Sequence, residues 1–227
     1  MIRHKNLILI GSSHIAEQSI QEVKKAIEQE APDVVAVELD RLRMQALIEQ
    51  EKDKKQGKKT KGIDFRIYKR VGVKGAIFAM LGSWASRSLG KQVNVDPGSD
   101  MLTAIKIAKA KNIKVALIDR HIEETLKDFS KSITWREKWN FFIDIVKGMF
   151  GKGMVLDLTK VPEDKLIEEM MEKIKNRYPN VYEVLITKRN KIMAKKLAFL
   201  MKNHEKVVVV VGAGHIKGIL EELKSME

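Results

Sequence analysis

The stretch Lys206-Val207-Val208-Val209-Val210-Val211-Gly212-Ala213-Gly214-His215 decides the fold. Consecutive β-branched residues suit a strand buried on both faces, as in a parallel sheet. Gly212 and Gly214 permit a tight turn and a close backbone approach at the strand's end. His215 then stands just past the carboxyl end, the edge at which open α/β sheets bind ligands. The amino terminus repeats the design in Leu7-Ile8-Leu9-Ile10-Gly11-Ser12-Ser13-His14. A strand-Gly-x-x-His unit thus occurs near both chain ends and uses two of five histidines. Two ordinary strand-to-loop turns with incidental histidines explain the spacing equally well.

Working outward, Ser19-Ile20-Gln21-Glu22 reads as a capping box, and Ile20, Val23 and Ile27 mark one helix face. Pro32 ends that helix, and Asp33 to Glu38 reads as the next strand. Strand, helix, strand implies a right-handed unit with parallel strands. Glu38 is therefore expected at the same sheet edge as His14. A carboxylate ending an apolar strand is costly to bury without a partner; a helix-capping acid in solvent is the plain alternative. A helix from about Asp40 carries Arg43 and Leu47. Lys114 to Ile118 is another such strand and runs into Asp119-Arg120-His121, again polar residues at a strand's carboxyl end.

Between these elements the alternation breaks. Residues 52–61 form a lysine-rich run, the usual signature of a solvated loop. Residues 63–90 are apolar and glycine-rich, but too short and too charged to span a bilayer. They read as a buried helix or a lid, with a membrane-surface segment or an oligomer contact as alternatives. Ser99 is placed to cap the helix of Met101, Leu102, Ile105 and Ala108. The helix from Thr134 carries Trp135, Trp139, Phe142 and Ile143 nearly all round and needs covering on most sides. The expected organisation is one α/β domain over 1–227, with a mostly parallel central sheet flanked by helices. A helical insertion is expected at about 52–95 and 130–160.

After Tyr178-Pro179, Asn180 and Glu183 resemble a further capping box. The helix that follows puts Arg189 on the stripe of Leu185, Met193 and Leu197. A guanidinium among core positions needs an anionic partner. That partner is either a core acid, with Glu38 the candidate, or a substrate oxyanion.

Composition narrows the chemistry. The 227 residues, 44% of them hydrophobic, suffice for one large domain or a core with an insertion. Zero cysteines exclude disulfides and thiolate metal sites, leaving His, Asp and Glu as strong ligands. The formal charge of +13 favours anionic partners in general. No zinc finger, RNP pattern or basic-aromatic interleaving points to specific nucleic-acid binding. Phosphate-loop, dinucleotide, His-Glu-x-x-His and Gly-x-Ser-x-Gly motifs are all absent. There is no signal-peptide pattern and no apolar run of spanning length, so a soluble chain is expected, either cytoplasmic or the soluble part of a membrane-anchored protein.

These residues resemble the TraB/PrgY family, named after pheromone-shutdown proteins and related to the Tiki proteases and, more distantly, to ChaN-like and erythromycin-esterase-like proteins. The resemblance covers nearly the whole chain. It rests on Gly11-Ser12-Ser13-His14, on Pro32 to Asp40 with Arg43, and on Leu117-Ile118-Asp119-Arg120. Arg189-Asn190 and Val211-Gly212-Ala213-Gly214-His215 with Gly218 complete it. Two positions depart from the pattern: Lys188 and Asp100 stand where the family often has Glu. The resemblance implies an α/β core in which both Gly-x-x-His units, the strand-end Glu and an Arg build one site. In the Tiki branch that site is associated with metal-dependent proteolysis. The expectation is therefore a metal-dependent hydrolase, a peptidase in class, acting on a peptide or small-molecule substrate. His14, His215 and Glu38 would hold a divalent ion (Zn, Mn, Co or Fe). Glu38 would alternatively act as general base, with Arg189, Arg43 and Arg120 as oxyanion-stabilising candidates. The alternative is a non-catalytic module of the pheromone-shutdown type that binds a peptide or ligand. Many relatives carry carboxyl-terminal membrane segments that this sequence lacks.

Overall fold

A computed structural model describes residues 1–12, 17–57, 98–149 and 164–227. In chain order the strands are β1 (Ile2–His4), β2 (Leu7–Ser12), β3 (Val34–Val37), β4 (Lys114–Leu117) and β5 (Val207–Gly212). The helices are α1 (Glu17–Glu30), α2 (Arg41–Lys55), α3 (Ser99–Ala110), α4 (Ile122–Ser132), α5 (Trp135–Met149) and α6 (Asp164–Arg177). Then come α7 (Pro179–Tyr182), a π-helical turn (Glu183–Thr187), α8 (Lys188–Asn203), and α9 (Ile216–Lys224) after a 3-10 turn (Ala213–His215).

The strands form one five-stranded sheet in the order β1-β2-β5-β3-β4. β1 runs antiparallel to β2, and all other pairs are parallel. The fold is α/β, a mostly parallel sheet flanked by helices, as the sequence predicts. The valine strand sits at the centre, between β2 and β3. Val207, Val208, Val209, Val210 and Val211 are each 0% exposed, which only a strand covered on both faces achieves. One cover is α1 and α3, where Val23, Ile27, Met101 and Ile105 pack on Ile8, Ile10, Val35 and Val208. The other is α8 and α9, where Met193, Leu197, Ile219 and Leu223 pack on Leu7, Leu9, Ala36 and Val209.

Several sequence-based helix starts are corrected. α1 begins at Glu17, so Ser19 lies within its first turn rather than at its cap. α3 is preceded by Gly98 in the left-handed region at φ 85°, so the residue without a Cβ, rather than Ser99, starts the helix. α7 begins at Pro179, and its free amides are met from another helix: Asn180 N and Val181 N donate to Glu137 Oε1 at 2.8 and 3.4 Å. Glu137 also accepts from Thr134 N at 3.0 Å, so one buried carboxylate caps the starts of α5 and α7. The apolar helix predicted from Thr134 is α5, but Trp135 and Trp139 are 84% and 65% exposed while Glu137 is buried. Residues 58–97 and 150–163 lie outside the described residues, and with them most of the predicted helical insertion. Among the described residues, no helix is long and apolar enough to cross a membrane.

Candidate functional site

Parallel strands in register bring their carboxyl ends to one edge. Ser12 pairs with Gly212, and Val37 with both Val210 and Leu117. The residues just past β3, β4 and β5 therefore meet: Glu38, Asp119 and the turn to His215. Glu38 N donates to Val210 O at 3.0 Å, and Asp119 N donates to Leu39 O at 3.3 Å. All three side chains leave water: Glu38, Asp119 and His215 are 3%, 3% and 5% exposed.

Arg189 joins them. Its Nε and Nη2 donate to Asp119 Oδ1 and Oδ2 at 2.9 and 2.7 Å, a two-pronged pairing. Nη2 also donates to Glu38 Oε1, and Nη1 donates to Leu185 O at 3.1 Å. The anionic partner required by an arginine on an apolar stripe is thus a pair of strand-end acids. Leu185 lies in the π-helical turn, where Lys188 N bonds to Glu183 O. Such turns shift the carbonyl pattern of a helix and recur at functional sites. Burial opposes the guanidinium's charge, but Glu38 and Asp119 outweigh it and raise its pKa above the ordinary arginine value.

The remaining atoms of Glu38 and His215 are also held. Glu38 Oε2 accepts from Gly212 N at 2.7 Å, which fixes the carboxylate at the end of β5. His215 Nδ1 lies 2.6 Å from Asn190 Oδ1, an oxygen that only accepts, so Nδ1 is assigned the proton. Nε2 is left as the acceptor, 3.2 Å from Arg189 Nη1 and 3.4 Å from Glu38 Oε1. Gly218 stands beside this arrangement, and a Cβ there would collide with Asn190 Nδ2.

The other arginines part company. Arg43 Nη1 donates to Asp119 Oδ2 at 2.5 Å, so it borders the cluster through Asp119. Asp40 holds that helix start by accepting from Leu42 N and Arg43 N at 2.7 and 3.1 Å, and it also accepts from Ile122 N at the start of α4. Arg120 turns to Glu124 and Asp128 at 3.1 and 2.8 Å, and Lys188 joins Asp128 at 3.0 Å. The structure places Arg120 and Lys188 in that surface network rather than with Glu38. Asp100 lies at the same sheet edge, where it accepts from Ser12 Oγ, and both are 1% exposed. His14 lies outside the described residues.

Sequence reasoning did not assign roles to Asp119, Asn190 or Lys196. Asp119 carried the same signal as Glu38, an acid directly after an apolar strand. Asn190, 5% exposed beside Met193 and Ala194, was a buried polar residue on a core helix. Lys196 Nζ donates to Asp119 O at 2.7 Å. Burial lowers its pKa despite the nearby Asp119, Asp40 and Glu124.

Could this cluster hold a divalent ion? The donor chemistry fits in part. A histidine whose Nδ1 is fixed by an amide oxygen presents Nε2 in the manner of metal-bound histidines. Glu38 Oε1 faces that nitrogen at 3.4 Å. Arg189 now engages both atoms, and Asp119 offers it a second two-pronged partner. Among the described residues, no group of three such ligands assembles.

Fold and site together define an α/β protein with a buried polar cluster at the carboxyl edge of a parallel sheet. The model of the TraB/PrgY/gumN family matches residues 2–227, and the chain belongs to that family. It is 34% identical over 231 residues to the uncharacterized protein MJ1365 of Methanocaldococcus jannaschii, covering 98% of this chain and 54% of that protein. It is 25% identical to a TraB domain-containing protein of Bos taurus and 24% identical to one of Homo sapiens, covering 93% of this chain in both comparisons. The aligned region takes in 60% and 61% of those two proteins. The chain thus spans less than two thirds of the length of these relatives.

Proposed function

We propose that the chain is a metal-dependent hydrolase, a peptidase in class, whose site is the cluster of Glu38, Arg189 and His215. The observation that carries this reading is the convergence of a base, a fixed imidazole and a guanidinium at one strand-end edge. His215 Nε2 and Glu38 Oε1 would hold the ion, with His14 as the further ligand. When bound, such an ion supplies Lewis acidity to an attacked carbonyl. Glu38 is the residue able to take a proton from an attacking water, because Gly212 N fixes its other oxygen. Arg189 offers donors to the oxyanion that develops on the carbonyl. Asp119 keeps the guanidinium in the cluster when Glu38 is otherwise engaged.

One observation favours a second reading. Glu38 and Asp119 already face Arg189 and Arg43, so the described charges balance without an ion. A binding module that captures a peptide or small ligand without cleaving it suits such a cluster. Metal content after purification without added metal, measured with turnover of a peptide library, tests the two. Metal-dependent cleavage lost in Glu38→Gln supports the hydrolase; ligand binding with no cleavage under any ion supports the module.

A further inference from the structure

The outer edge of the sheet carries a groove that the cluster does not use. β4 is the edge strand among the described residues, pairing only with β3. Beside it runs α8, and between them lies a cavity of about 340 Å³, lined by Ala116, Leu117, Lys195, Lys196, Phe199 and Leu200. Phe199 is 67% exposed, an unusual position for a large aromatic.

The backbone of β4 is turned toward this groove at alternate residues. Ile118 N donates to Val37 O at 3.1 Å, so Ala116 and Ile118 direct their backbone groups toward β3. Those of Val115 and Leu117 then point outward. Lys196 Nζ, on the groove side, lies 3.4 Å from Leu117 O, in keeping with that direction. Outward backbone groups beside an apolar trough are what strand addition needs: main-chain bonds for affinity, and a pocket for alternate side chains.

We infer that this groove binds an extended, acidic-apolar peptide as an added strand along β4. Every second side chain of such a strand faces α8; on that face apolar groups would lie over Ala116, Phe199 and Leu200, and carboxylates would meet Lys195 and Lys196. Charge complementarity selects this occupant, since the groove's charged lining is two lysines. β4 runs toward Asp119, and Lys196 links the groove to the cluster through Asp119 O at 2.7 Å. A peptide held here is led to the strand-end site. Its role as substrate rests on the hydrolase reading; its binding does not.

The test uses a fluorescein-labelled, end-capped octapeptide of two leucine-threonine-glutamate-threonine repeats, which puts leucine and glutamate on one face of an extended strand, and is read by anisotropy. Controls are the same peptide with lysine for glutamate and the same peptide N-methylated at alternate amides. The expected result is binding of the acidic peptide alone, lost on N-methylation. Phe199→Ala should weaken it about tenfold, as loss of an aromatic anchor does, and Lys195→Glu should remove the preference for acid over lysine. Phe199 and Lys195 are both exposed, so the variants should fold, which circular dichroism checks. No binding, or binding indifferent to Phe199→Ala and to N-methylation, overturns the groove. A dimer of the wild-type chain that Phe199→Asp converts to monomer, without peptide binding, also overturns it and gives the edge to self-association. Cleavage is scored separately. Library turnover with equal KM in wild type and Phe199→Ala would sink the groove and leave the hydrolase reading standing. Groove binding without turnover would do the reverse.

Discussion

Arg189 and Asp119 are 70 residues apart in sequence, yet two nitrogens of one guanidinium reach two acids, and both oxygens of Asp119 are used. The pairing ties α8 to the ends of β3 and β4. Removing one partner of a buried ion pair costs about 3–5 kcal/mol, because the other is left charged in a dry place. Asp119→Asn and Arg189→Met should each lower the unfolding free energy, read from urea titration, by an amount of that order. The double variant should cost less than the sum by about 1 kcal/mol or more, since the two residues share one network. Strict additivity would show that the two side chains do not hold each other.

Arg189→Lys asks a narrower question. Lysine keeps the charge but loses the planar fork that spans Asp119 and Glu38. Hydrolysis per folded molecule should fall roughly 10²-fold or more, the scale of losing an oxyanion donor. Arg120→Ala, which removes contacts to Glu124 and Asp128 only, should leave turnover within roughly twofold of wild type. Equal losses in both variants would contradict the placement of Arg189 in the site and Arg120 outside it.

The imidazole of His215 should carry its proton on Nδ1, a state that nitrogen-15 shifts of the ring report directly. Asn190→Leu should abolish that preference. Gly218→Ala should have the same effect with both residues left unsubstituted, because the new Cβ meets Asn190 Nδ2 and displaces the amide. A ring signal unchanged in Gly218→Ala would mean that Asn190 does not set the tautomer.

Glu137 links pH to stability. Burial pushes its pKa up, but bonds from the Thr134 and Asn180 amides outweigh this and hold it below the ordinary 4.5. A lowered folded-state value means that the contribution is present above about 4.5 and is lost as pH falls through the lowered value. Glu137→Gln should cost about 1.5–3 kcal/mol at neutral pH, as for hydrogen bonds to a charged group. The gap between variant and wild-type melting temperatures should narrow on acidification below that range. A gap independent of pH would contradict the capping role.

Much of the site was legible because a carboxylate directly after an apolar strand has few reasons to be there. Glu38 declared itself in this way, and Arg189 did so by sitting on the stripe of Met193 and Leu197. The order of the strands was not legible. Alternating strands and helices imply parallel pairing but do not say that β5 enters between β2 and β3, the position that sets Gly212 N against Glu38. Asp119 was visible as a strand-end acid, but its bond to Arg189 depends on β4 lying beside β3. Glu137 was hidden more deeply: a glutamate one turn into a tryptophan-bearing helix reads as the solvent face, and the α7 amides that it caps lie 43 and 44 residues away. Ser19 and Ser99 misled because serine is common at helix starts, whereas backbone geometry at Gly98 decided the second of them. His14 lies outside the described residues, so the first Gly-x-x-His unit stands on its sequence alone.

Metal-dependent hydrolysis at the Glu38, Arg189 and His215 cluster is tested most directly by turnover of a peptide library, read by mass spectrometry, with protein stripped by chelator and reloaded with Zn, Mn, Co or Fe. New peptide termini are expected with at least one ion, none after chelation, and none in Glu38→Gln or His215→Ala variants that remain folded. Cleavage that persists in folded Glu38→Gln, or no cleavage by wild type with any of the ions, would contradict it.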